Sequence, residues 1–460
     1  MKKPSIVIIG AGCAGLASGI ALAKRGFLVT ILESTNRVGG LAGGIEINGN
    51  TYEYGPHIFH TTDPEVLDDV KKFCGTVLIK FEKIIKIKFL GKYFDFPLSI
   101  TDVLFKLPLL TVINAGISFS YYWFKGIFKK KSSLNNCEEV LKRYYGKVLY
   151  EIFFKNYITK VWNIGPKDLA ASFAHQRIPR FDLFDFIVKI KSKFFKNKNI
   201  GISTDNFTEK NEGTQYTTEK GFMLIAQCFA KEFTSLGGNL SLNSKVNSIH
   251  FDNKKNEYTT YFNDKENLTS SILISTMPIN ILPTLINPSP LPSILESAYK
   301  LKFLPITFVG ILINKPVGLL SSFMYFRDKT FNRVTDLGRF KIKIKPEGAT
   351  ILIAEVTCNK DSELWTNEEK TKNQVIEELC QENFFTKDEI LESHIFKTEN
   401  GYPIYLKDFE QNLNTVLNGL TNYPHLYSIG RQGKFAYVNT HVAIKMGYEI
   451  ARKIEKDFPQ

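Results

Sequence analysis

A chain of 460 residues that is 43% hydrophobic is long enough for two or three domains with a sizeable core. Its six cysteines fall at no paired spacing, which excludes a disulfide framework or a zinc site as the organising element. The net charge is +13, but the basic residues are scattered, with local runs at 125–131 and 189–198; this argues against a nucleic-acid partner and suits an anionic ligand or membrane surface. The N-terminus runs straight into an apolar strand with no signal peptide, so a cytoplasmic protein is expected.

Ser5-Ile-Val-Ile-Ile9 is a short β-branched run and predicts a buried strand. Gly10-Ala-Gly12-Cys-Ala14-Gly15 follows at once, then helical spacing from Leu16 to Lys24, then a second strand, Leu28 to Leu32, ending in Glu33. This is a dinucleotide fingerprint in full context. Gly10 allows the tight turn, Gly12 lets a pyrophosphate approach the backbone, and Gly15 lets helix and strand pack closely. Glu33, 18 residues after Gly15, suits the ribose hydroxyls. The helix N-terminus adds amide donors and a positive dipole end. Cys13 reads as a small packing residue. Arg37-Val-Gly39-Gly40-Leu41-Ala-Gly43-Gly44 comes next, and four glycines there mean backbone lying against something flat. These stretches resemble the FAD-binding amine-oxidase and glutathione-reductase-like group. The resemblance implies FAD, held by Gly10, Gly12, Ala14, Gly15, Glu33, Arg37, Gly39, Gly40 and Leu41.

A hairpin with Asn48-Gly49 at its turn is expected over 46–53. It leads into Tyr54-Gly-Pro-His57-Ile-Phe-His60-Thr, and Asp63-Pro64 then caps a helix to about Phe73. His57 and His60 are three apart, but no third ligand comes at metal-site spacing, so no metal is expected. The string closely resembles that of UDP-galactopyranose mutases, which implies that His57 and His60 lie near the flavin and makes His60 a contact to flavin and sugar. Val77 to Phe96 alternates as strands about a turn at 90–92, and 102–200 reads as mainly helical. Within it, Leu107 to Phe124 carries no charge over 18 residues and is flanked by lysines. Buried core helices are one reading of it and an interfacial membrane-binding segment is the other; Pro108, Asn114 and Gly116 argue against a span.

Phe153, Phe154 and Tyr157 suit stacking on a base, and Arg177 suits a phosphate clamp; an amphipathic helix with core aromatics is the plainer alternative. The stretch 149–162, with Gln176-Arg177-Ile-Pro179, is similar to the mutases' segment around their mobile loop. The resemblance places Tyr157 at the uracil, Trp162 at the loop and Arg177 at the diphosphate. Further matches are Phe331-Asn-Arg333 (a second diphosphate arginine), Glu355, Gly401-Tyr402-Pro403 and the closing Gly430-Arg431-Gln-Gly433-Lys-Phe-Ala-Tyr437-Val-Asn439. They imply Arg431 and Gly430 at FAD, with Val246 from the middle segment, and Tyr402, Tyr437 and Asn439 at the substrate. The mutases carry an aspartate where Asn439 stands, and related flavoproteins often have an acid where His441 stands.

The fold expected is α/β: a Rossmann-like FAD-binding domain of glutathione-reductase type (1–90, 215–280 and 420–460), a mainly helical cap with a mobile loop (91–214), and an antiparallel-sheet substrate domain (281–419). The resemblance implies a pyranose/furanose mutase of a nucleotide sugar, serving surface polysaccharide precursors, with reduced FAD as nucleophile and NAD(P)H as reductant. Arg177, Arg333 and His60 would carry the catalysis. An FAD-dependent oxidase or desaturase is the rival; it shares the glycine motifs but has no use for the Arg177, Arg333, Tyr402 and Tyr437 set.

Overall fold

The computed structural model describes residues 4–96, 98, 100–128, 134–178 and 213–459. Expectations that fall on Lys129 to Lys131, Pro179, the lysine run 189–198 and the loop of the cap lie outside those residues.

The fingerprint strand Ser5–Ile9 is central in a five-stranded sheet. Leu28–Leu32 and Ile272–Ser275 flank it, and Asn239–Ser241 and Leu426–Ser428 complete the edges, every pairing parallel. The inner strands are apolar without alternation because both faces are buried: Ile6, Ile8 and Ile274 lie under helices, and Val7, Ile9 and Leu273 share a core with Val246, Ile249 and Tyr258 of a second sheet. Helix Cys13–Lys24, rich in Ala and Gly, lies against helices Phe222–Ser235 and Thr440–Asp457. Three pieces of chain far apart in sequence therefore build one Rossmann-like layer, with these helices on one face of the sheet. A second sheet, Glu266–Ser270, Glu257–Phe262, Val246–Asp252 and Ile286–Asn287, packs beside it.

The third sheet has seven strands in the order Ile390–Pro403, Phe303–Ile313, Thr350–Thr357, Arg333–Asp336, Phe323–Phe326, Ile85–Phe89 and Lys92–Asp95. It is antiparallel except where Phe323–Phe326 runs parallel to Ile85–Phe89. This corrects the expected boundary after residue 90. That boundary would split the hairpin Ile85–Phe89 and Lys92–Asp95, whose two strands both join the substrate-side sheet. Ile286–Asn287, expected in the substrate domain, pairs instead with Val246–Asp252.

Local chemistry sets the expected turns. Asn48 and Gly49 both take positive φ (51° and 78°) between Gly44–Ile47 and Asn50–Glu53. Asp63 accepts the Val66 N–H at 3.3 Å and caps helix Pro64–Cys74. The cap is helical over Ile100–Lys106, Leu109–Phe128, Cys137–Leu149, Asn156–Trp162 and Ala171–Arg177, with a π-helical turn at Tyr150–Lys155. Among the described residues, no helix is long and apolar enough to cross a membrane. The reading of 107–124 as wholly buried core is also wrong: Leu110, Ile117 and Phe124 are exposed, because only one face of Leu109–Phe128 rests on Cys137–Leu149.

Candidate functional site

A cavity of about 740 Å³ runs from the fingerprint to the seven-stranded sheet, in the size range of small-molecule sites. Its floor is the glycine turn. Gly10 has φ +103°, and an added Cβ would lie 2.2 Å from Thr276 Oγ1; at Gly15 a Cβ would lie 1.9 Å from the Gly10 carbonyl oxygen. At Gly12, nothing stands within 4 Å of such a Cβ. Two glycines are thus required by packing, and the middle one leaves backbone open to the cavity, which suits a phosphate. Gly10, Gly12 and Ala14 line the cavity; Gly15 is the packing glycine behind it. Cys13 also lines the cavity, and burial pushes its thiol up to about 12.

Glu33 lines the same end. Its Oε2 accepts the Ala11 N–H at 2.9 Å, and Oε1 accepts from Thr35 N (3.0 Å) and Thr35 Oγ1 (2.8 Å). The carboxylate is fixed by the turn it faces, beside Ser244, Lys245, Val246 and Asn247. Gly39, Gly40 and Leu41 line the next wall. Arg37 is absent from the lining: it donates to the Gly40 carbonyl at 3.0 Å and lies 4.9 Å from the Tyr54 ring. It braces the glycine loop beside two cavity residues, Gly40 and Tyr54.

His57, His60, Gly430 and Arg431 line the middle of the cavity. Burial, then Arg431 and Arg333, hold His57 down at about 3, so its ring is neutral. Burial also lowers Arg431, to about 10. His57 Nδ1 and Arg431 Nε are both buried without a protein partner. Such atoms are costly when unpaired, so they fit a polar ligand at this wall. The His60 ring lies 5.1 Å from that of His441, in the first turn of Thr440–Asp457. Asn439 is the N-cap of that helix and makes no capping bond there; it lines the cavity with Thr440. The helix therefore presents its positive end to the site.

The far wall is built on the seven-stranded sheet. Arg333 and Glu355 are cross-strand partners joined by two bonds, Nε to Oε1 at 2.6 Å and Nη2 to Oε2 at 2.7 Å. Burial works against the Arg333 charge, but Glu355, Tyr402 and Tyr325 outweigh it and hold the guanidinium protonated. Arg333 Nη2 also donates to Tyr402 Oη at 3.1 Å. Gly55 (φ +94°) seats the Tyr54-Gly-Pro-His57 turn directly on this pair: a Cβ there would lie 2.7 Å from Glu355 Oε1. The Tyr402 and Tyr437 rings are 5.2 Å apart. Arg431 lies 4.2 Å from the Tyr437 ring and Arg177, from the cap, lies 3.5 Å from it. The structure thus brings together Arg177, Arg333, Arg431, Tyr402 and Tyr437. Among the described residues three guanidiniums face one carboxylate here, a balance that suits an anionic ligand at this end of the cavity.

The cap aromatics divide. Trp162 is buried and packs edge-on against Phe173 (4.9 Å), with the ring of the cavity residue Tyr402 6.0 Å away, and Tyr157 lies 6.2 Å from the cavity residue Tyr325; neither lines the cavity itself. Phe153 does not: it packs edge-on against Phe89 (5.7 Å) and Phe94 (5.5 Å). Phe154 packs on Tyr145 at 4.4 Å. In this structure both belong to the cap's core, as the amphipathic-helix alternative has it, and this corrects the base-stacking expectation for them. Sequence reasoning missed Lys83, Lys245, Asn247 and Tyr325, all cavity residues. Only Lys245 and Asn247 carried a signal, as the neighbours of Val246. Among the described residues there is no group of three His, Cys, Asp or Glu able to hold a metal.

An open glycine turn, a fixed acid, a neutral imidazole and a helix N-terminus along one cavity fit a flavin dinucleotide. Comparison with known proteins agrees. Residues 8–73 match the NAD(P)-binding Rossmann-like domain, and residues 165–398, about half the chain, match flavin containing amine oxidoreductase. A protein named "Probable UDP-galactopyranose mutase" from Klebsiella pneumoniae is 27% identical over 216 residues, 46% of this chain and 53% of its own length. A dTDP-fucopyranose mutase from Escherichia coli is 28% identical over 211 residues, 44% and 52%. A 4,4'-diapophytoene desaturase from Staphylococcus aureus is 27% identical over 263 residues, 54% and 50%. The chain therefore spans about half the length of these curated relatives. A crystal structure of reduced UDP-galactopyranose mutase has the same fold, with a TM-score of 0.82 at 21% identity over 100% of this chain and 97% of that one.

Proposed function

Because the chain belongs to the flavin containing amine oxidoreductase family, we propose that it binds FAD along the cavity and interconverts the pyranose and furanose forms of a nucleotide sugar. Gly10, Gly12, Ala14 and Glu33 would hold the nucleotide half of FAD, and Gly39, Gly40, Leu41, His57, Gly430 and Arg431 the flavin half. Bound and reduced, with NADH or NADPH as electron source, FAD supplies the nucleophile and takes part with no net redox change.

The chain's own work in this reading is binding, orientation and charge. Arg333 is pre-set by Glu355 and Tyr402, so it need not reorganise as negative charge builds on a departing diphosphate. Arg177, from the cap, closes on the same anion beside Tyr437. Tyr157 and Trp162 flank the base, and His60 and Asn439 face the sugar. The wall of Ile306, Phe308 and Phe323 keeps water from the reacting centre.

The observation that carries the reading is the convergence of Arg177, Arg333, Tyr402 and Tyr437 at one end of a dinucleotide cavity. The test is turnover: dithionite-reduced, FAD-loaded protein incubated with UDP- and dTDP-linked hexoses, with ring forms separated by chromatography. Interconversion only in the reduced state supports the proposal. A second reading, an oxidase or desaturase, is favoured by the apolar wall and by the likeness to the desaturase. Oxygen consumption on lipid-like or amine substrates, with no sugar interconversion, would establish it instead.

A further inference from the structure

We propose that the outer face of helix Leu109–Phe128, with the end of Ile100–Lys106 before it, is a docking surface for an anionic lipid bilayer, on which the protein lies without crossing. Leu110, Ile113, Ile117, Tyr121 and Phe124 are spaced three and four apart, so they form one stripe along the helix. All five face solvent, at 76%, 49%, 66%, 58% and 59% exposure, and Phe105 beside them is 83% exposed. Such a stripe ordinarily faces a core. Here the opposite face is the one in use. Ala115 is buried, Ser118 Oγ accepts the N–H groups of Lys147 and Val148, and the Gly126 carbonyl accepts from Arg143. Of the 19 exposed large apolar side chains among the described residues, nine fall between 104 and 124, so the exposure is one patch and not scatter.

Charge decides the occupant. Lys106 pairs with Asp102 one turn before it, and from Leu107 to Cys137 the sequence has four further lysines and no aspartate or glutamate. Lys125 sits on the helix, 5.7 Å from the Tyr121 ring, with Trp123 between them in sequence. An apolar face with lysine, tyrosine and tryptophan gathered at one end matches a helix lying at the headgroup level of an anionic membrane. A second copy of this chain fits less well, since two such faces would bring Lys125 and the lysines after it against one another.

The test is flotation of the full, FAD-loaded chain with vesicles of phosphatidylcholine alone or with an equal part of phosphatidylglycerol. The wild type is expected to float with the anionic vesicles at low salt and less at high salt. The variant Ile113→Ser with Ile117→Ser and Phe124→Ser should lose at least about tenfold in partitioning, with its flavin spectrum and melting temperature unchanged. Lys125→Glu, which leaves the apolar stripe intact, should lose binding at low salt only. Three results would overturn the proposal: no flotation of the wild type with either vesicle, flotation of the triple variant equal to the wild type, or a wild-type dimer that the triple variant dissolves without any vesicle binding.

Discussion

Arg333 and Glu355 face each other across neighbouring antiparallel strands and close a two-bond fork, and Arg333 Nη2 also donates to Tyr402. The fork fixes the guanidinium before any ligand arrives. Removing one partner of a buried pair leaves the other uncompensated, at about 3–5 kcal/mol. Glu355→Gln is therefore expected to lower both the melting temperature and the affinity for UDP, while the flavin spectrum persists. Equal UDP affinity in this variant would show that Glu355 does not position Arg333.

Arg177→Ala and Arg333→Ala are expected to abolish sugar interconversion and to weaken UDP binding by about tenfold or more each, the worth of one charge-assisted contact. FAD should stay bound, since neither side chain is part of the fingerprint. Release of the flavin from both variants would assign these arginines to the fold.

The three fingerprint glycines should fail differently. Gly15→Ala would push a Cβ into the Gly10 carbonyl, so it is expected to destabilise the protein itself. Gly12→Ala meets no protein atom, so the apoprotein should melt like wild type yet copurify without colour. Yellow Gly12→Ala protein would place the pyrophosphate elsewhere.

Glu53 gives a pH dependence with a definite sign. Burial pushes its carboxyl from 4.5 up to about 8, against the opposing N–H groups of Phe222 and His57. The folded chain keeps a proton that the unfolded chain gives up near pH 4.5. The stability linked to Glu53 is thus present below 4.5 and lost as the pH rises through about 8, by at most roughly 1.4 kcal/mol per unit. Denaturant unfolding at pH 5.5 and pH 8 should show this fall in wild type and a smaller one in Glu53→Gln. Identical slopes in the two proteins would contradict it.

The sequence carried the cofactor end almost entirely, because a change of hydrophobic period around Gly10 to Gly15 and an acid at 33 leave few other folds open. The anion end was legible only through resemblance. Arg333, Tyr402 and Tyr437 come from three separate segments, and nothing in their own neighbourhoods brings them together. Phe153 and Phe154 show the limit of spacing: an aromatic on a helix reads the same whether it stacks on a ligand or on Phe94. Tyr325 was hidden in the apolar run Phe323–Phe326, and the run 107–124 disclosed its apolarity but not which face would be covered.

The most direct test of the central claim is calorimetric titration of UDP and dTDP into the FAD-loaded protein, oxidised and then dithionite-reduced. Convergence of Arg177, Arg333, Tyr402 and Tyr437 on one anion predicts binding of at least one nucleotide, tighter in the reduced state and lost in Arg333→Ala. No heat from either nucleotide in either state would remove the diphosphate site and the mutase reading with it.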